Sequence, residues 1–83
     1  MDALRMTTRP RMKVEVFRTD IATLEQAQKL ERLLLERFPQ LRISFDLEDR
    51  DRILRIVHER PLDIDQITGI TGRLKITAEV LDR

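Results

Sequence analysis

Apolar and polar residues alternate without a break through LRISFDLE, with Leu41, Ile43, Phe45 and Leu47 set against Arg42, Ser44, Asp46 and Glu48. A period of two suits a strand with one buried and one wet face, and a helix cannot satisfy it. The next segment, RILRIVHE, keeps the same period, with Leu54 and Ile56 on one side and Ile53, Arg55 and Val57 on the other. Its greater apolar content is that of a central strand. Two such strands so close in sequence predict a hairpin, and the rest of a short chain must cover one face of it.

The flanking segments supply that cover. From about residue 12 to 18 a further alternation sets Val14 and Val16 against Lys13, Glu15 and Phe17, which predicts a first strand with its valines inward. Leu24, Ala27, Leu30, Leu34 and Phe38 then recur at spacings of three and four, as on one face of a helix. Thr23 stands three residues before Gln26 in a capping-box pattern, and Pro39 ends the helix after roughly 15 residues. After Pro61 the pattern repeats: Asp63 precedes Gln66 by three, and Ile64, Ile67 and Ile70 form a second helical stripe, which Gly69 weakens and Gly72 should stop. Ile76, Ala78 and Val80 alternate with Lys75, Thr77 and Glu79 as a fourth strand.

Strand, helix, strand, strand, helix, strand defines an α+β chain of the ferredoxin-like βαββαβ type: a four-stranded antiparallel sheet ordered 4-1-3-2 with both helices on one face. The other face is left open, and the alternation assigns to it Lys13, Glu15, Phe17, Arg42, Ser44, Asp46, Ile53, Arg55, Val57, Lys75 and Thr77. Residues 12–83 form the domain. Residues 1–11 show no period and carry Arg5, Arg9 and Arg11 against Asp2, which reads as a flexible basic tail.

A chain of 83 residues has room for a single modest core. Sixteen basic residues against fifteen acidic ones give a net charge of +1, so no global field draws the domain to nucleic acid or an anionic membrane. The absence of cysteine removes disulfides, catalytic thiols and thiolate metal sites together. The longest apolar run, Leu33 to Leu35, is far too short for a membrane span, and the expected compartment is the cytoplasm.

The crowd of carboxylates in FDLEDRDRIL invites a metal reading. A calcium loop requires a glycine at its sharp turn and a bidentate Glu at position twelve. Counted from Asp49 the twelfth residue is Arg60, counted from Asp46 it is Val57, and no glycine intervenes in either case. The segment reads instead as a hairpin turn, with Asp49 and Asp51 bonding their own backbone and Arg50 and Arg52 offsetting their charge. His58 has no second imidazole or triad partner, Ser44 stands in mid-strand, and the pair Gly69 and Gly72 lacks the basic residues of a phosphate clamp. No catalytic residue is assigned, and nucleic-acid binding is disfavoured because Phe17 is the one aromatic on the predicted open face and the third strand offers Arg55 where a second would stack a base.

From Met12 to Leu81 the pattern resembles the heavy-metal-associated domain family, the small copper-chaperone-like fold, and DLEDRDRILRI looks like a signature of small bacterial members without metal-binding cysteines. Metal-carrying members of that family hold a soft cation such as Cu(I) between the thiolates of a Cys-x-x-Cys pair after the first strand. The matching positions here are Asp20 and Thr23, neither of which supplies a thiolate, and both suit helix capping.

The resemblance therefore implies a non-catalytic binding or protein-interaction domain with no cofactor and no cysteine metal site. The alternation groups Phe17, Ile53 and Val57 around Arg55 on the open face, and this patch is the expected contact with another protein or a second copy. Two alternatives stay open. One is residual copper or other heavy-metal handling as in the family, or hard-cation binding through Asp20, Asp49 or Asp51. The other is a small-molecule regulatory module like the ACT domains, which share the topology.

Overall fold

The computed structural model describes residues 12–81; the expected basic tail, residues 1–11, and the last two residues lie outside the described residues. The elements follow the order β1 (Lys13–Thr19), α1 (Leu24–Arg37), β2 (Arg42–Asp46), β3 (Ile53–His58), α2 (Ile64–Arg73) and β4 (Ala78–Val80). The strands form one sheet ordered β2-β3-β1-β4, and every neighbouring pair is antiparallel. This is the ferredoxin-like arrangement, and the expected order is the same one read from the opposite edge.

Both helices start where the sequence signals a cap. The Thr23 hydroxyl accepts the Gln26 N–H at 3.2 Å, and the Gln26 amide oxygen accepts the Thr23 N–H at 3.0 Å, so each residue satisfies a donor that the first turn leaves free. At α2, Asp63 accepts the Gln66 N–H at 3.2 Å. Helix α1 stops at Arg37, with the Phe38 N–H still bonded to the Leu34 carbonyl at 2.7 Å, because Pro39 follows and has no N–H to continue the ladder.

One core fills the space between helices and sheet. Phe17, Leu54 and Ile56 rise from the central strands, Ala27, Leu30 and Leu34 descend from α1, and Ile67 and Ile70 from α2, with Ile21 and Ile76 closing the ends. Burying a large apolar side chain fully contributes about 1.5–3 kcal/mol. This cluster is therefore the main source of stability.

The face of β1 is opposite to the expected one. Phe17 pairs with Leu54 and is 0% exposed, whereas Val14 pairs with Val57 on the open face and is 51% exposed. The reason lies at the far end of the strand. Phe17, Thr19 and Ile21 share one parity and are all buried, while Lys13 and Glu15 of that parity fall near the strand's start, where they keep access to water. Burying a phenylalanine and an isoleucine outweighs burying two valines.

Three smaller corrections follow. Leu24, expected in the apolar stripe of α1, is 65% exposed, and Ile21 takes the core position beside it. Gly72 does not stop α2; the chain turns at Lys75, whose φ of 59° is left-handed. Consequently β4 is only Ala78–Val80, and Lys75 and Thr77 precede the strand instead of forming part of the open face.

Candidate functional site

The strand register lays out the open face row by row. Arg42, Val57 and Val14 form one row across β2, β3 and β1, and Ser44, Arg55 and Val16 form the next. Asp46 and Ile53 open the third row, which continues through Arg18 to Glu79 on β4. Side chains of one parity share a face of a pleated sheet, so these residues all project away from the helices.

Of the four residues expected to form a docking patch, Arg55 and Val57 lie on this face, half-buried. Phe17 does not; it is a core residue. Ile53 has the correct parity but is only 1% exposed, in the row that Arg18 and Glu79 share through a 3.7 Å ion pair. Val14 and Val16 take the place of Phe17, so the apolar side chains around Arg55 on this face are Val14, Val16 and Val57. The signal for this was the parity of Phe17, Thr19 and Ile21, which extends beyond the strand itself.

The carboxylate turn behaves as a turn. The Asp49 side chain accepts the Asp51 N–H at 2.8 Å and its carbonyl accepts the Arg52 N–H at 2.9 Å. Arg52 stands at φ 46° and sends its guanidinium to the Leu47 carbonyl at 2.8 Å, so it braces the backbone and does not offset the carboxylates as the sequence suggested. The turn is then locked to β1: the Thr19 hydroxyl donates to the Arg52 carbonyl at 2.6 Å, and the Thr19 N–H to that of Asp51 at 2.9 Å. Among the described residues no group of three or more His, Cys, Asp or Glu side chains could hold a metal ion.

Asp20 and Thr23, the two loop positions singled out by the expected resemblance, have separate tasks. Thr23 caps α1. Asp20 caps nothing; its carboxylate accepts the backbone N–H of Thr77 at 2.8 Å. That bond joins the loop after β1 to the approach to β4.

His58 is more enclosed than a strand-end residue suggests, at 5% exposure on the core face of β3. Its Nδ1 lies 2.6 Å from the Arg60 carbonyl, which can only accept, so Nδ1 carries the hydrogen. Nε2 is buried and has no hydrogen-bond partner among the described residues. A groove of about 560 Å³ passes this end of the sheet between Met12, Phe38, Arg42 and Pro61, and a second of about 600 Å³ runs between the helices past Leu33, Arg37, Gly69 and Arg73. Among the described residues, no helix is long and apolar enough to cross a membrane.

No protein-family model, no curated protein and no solved structure matches the chain.

Proposed function

We propose that the chain is a non-catalytic interaction module, a cysteine-free relative of the heavy-metal-associated domains of small bacterial type, that binds another protein through its open sheet face in the cytoplasm. The observation that carries this reading is the Val14–Val57 pair, with Val16 and Arg55 in the adjacent row. Apolar side chains grouped on an uncovered face, beside an arginine that can pair with a partner's acid, are the composition of the centre of an interface.

The alternatives draw less from the molecule. A soft-metal reading has two oxygen-bearing side chains in the relevant loop, and each already accepts a backbone N–H: Asp20 from Thr77 and Thr23 from Gln26. A general-base reading would use His58, whose Nδ1–H is committed to the Arg60 carbonyl in an enclosed position.

The test is retention of protein partners from the native cell on the wild-type chain and on Val14→Asp, after circular dichroism has shown both to be folded. The expected result is a partner held by the wild type and lost with the aspartate. Equal retention of the same partners by both would place binding elsewhere and overturn the reading.

A further inference from the structure

We propose that two copies of this chain associate edge to edge through β2, forming a continuous antiparallel sheet about a two-fold axis at Ser44. This goes beyond the partner on the open face and is independent of it. The sheet of the described residues has two edges, β4 and β2. Strand β4 is only three residues long, and its one outward charge, Glu79, is paired with Arg18. Strand β2 is five residues long and pairs with β3 in unbroken register from Arg42 to Asp46.

Exposed edges invite pairing because every second residue turns its N–H and C=O away from the sheet. Proteins discourage it with edge prolines, lysines, bulges or charges that repel on self-pairing. The stretch RISFD has no proline, lysine or bulge, and its charges are opposite in sign and symmetric about the centre. Antiparallel pairing with a second copy about Ser44 sets Arg42 across from the partner copy's Asp46, and Asp46 across from its Arg42. The same register sets Ile43 across from Phe45 twice on the helix-covered face, where both are half-buried and packed against the core of their own chain. Cross-strand pairs of opposite charge and of aromatic with β-branched residues are the favourable ones. A slip of one residue in the register would set each charge against an apolar side chain. The edge therefore selects this register.

Two five-residue edges bury less than the roughly 1,200 Å² of a stable interface, so the dimer forms reversibly at high protein concentration. Sedimentation velocity over a concentration series tests it with three chains. Arg42→Asp leaves two acids facing two acids in the dimer, and Asp46→Arg leaves two arginines facing two arginines. Each alone is expected to self-associate about tenfold more weakly than the wild type. Their mixture restores both opposite-charge pairs and recovers association. Both positions are exposed, and circular dichroism checks each fold.

Ser44→Cys adds the chain's sole thiol at the axis, where paired strands hold Cα atoms about 4.5–5.5 Å apart, within disulfide range. Mild oxidation should crosslink it faster than Lys29→Cys, a thiol on the exposed side of α1. Val14→Asp, on the interior strand β1 and separated from β2 by β3, should leave association unchanged. A wild type that stays monomeric at millimolar concentration, a mixture no more associated than its components, a Ser44→Cys rate equal to that of Lys29→Cys, or loss of association in Val14→Asp would each overturn the proposal.

Discussion

The carboxylate of Asp20 accepts the backbone N–H of Thr77 at 2.8 Å across 57 positions of sequence, and the Thr77 carbonyl accepts the Asp20 N–H at 3.3 Å. The two bonds close the sheet where β1 leaves it and β4 enters. A hydrogen bond of a charged acceptor contributes about 1.5–3 kcal/mol at most, and exposure reduces that figure. Asp20→Ala is therefore expected to cost about 1 kcal/mol in urea unfolding. Asp20→Asn, which keeps an acceptor oxygen, should cost about half of that.

The parity of β1 is tested by a pair of substitutions. Phe17→Ala empties the centre of the core and should cost about 3–5 kcal/mol, a large part of the stability expected of a domain this small. Val14→Thr, on the open face, should stay within about 0.5 kcal/mol of the wild type. If the costs were reversed, the valines would be the inward residues.

How far the sequence carries the fold depends on how many residues share each signal. The helices were legible because several apolar positions and a capping pair agree in each, as with Thr23 and Gln26 or Asp63 and Gln66. The alternation of β2 was equally plain. In β1 both faces carry apolar side chains, and the decision passed to Thr19 and Ile21, outside or at the limit of the predicted strand. The site inherited that error, because exchanging the face of β1 exchanges Phe17 for Val14 and Val16. The tasks of Asp20 and His58 depend on backbone groups of Thr77 and Arg60, and no side-chain pattern announces a backbone partner.

Helix α2 contains a removable weakness. Gly69 lies within it, and a methyl group built there meets nothing within 4 Å. Replacing glycine in a helix interior restricts the unfolded chain and improves propensity, so Gly69→Ala should raise stability by about 0.5–1 kcal/mol, read from the urea midpoint. A loss would mean that the groove between the helices closes on this position in solution.

The end of α2 carries the opposite problem. The Ile76 N–H donates to the Thr71 carbonyl at 3.0 Å and the Lys75 N–H to the Gly72 carbonyl at 2.9 Å, the paired bonds of a Schellman motif, in which the residue just past the helix is left-handed. Glycine usually occupies that place, but here it is Lys75, at φ 59°. An L-residue gives up about 1–2 kcal/mol in this region, and glycine returns about 0.4–1 kcal/mol of that through its freer unfolded chain. Lys75→Gly should therefore stabilise the domain by about 0.5–1 kcal/mol. Arg52, at φ 46°, is the control: glycine there relieves the same strain but removes the guanidinium that holds the Leu47 carbonyl at 2.8 Å, so Arg52→Gly should change stability little. Equal gains at both positions would show that the guanidinium contributes nothing to the turn; no gain at Lys75 would show that the lysine is held there without strain.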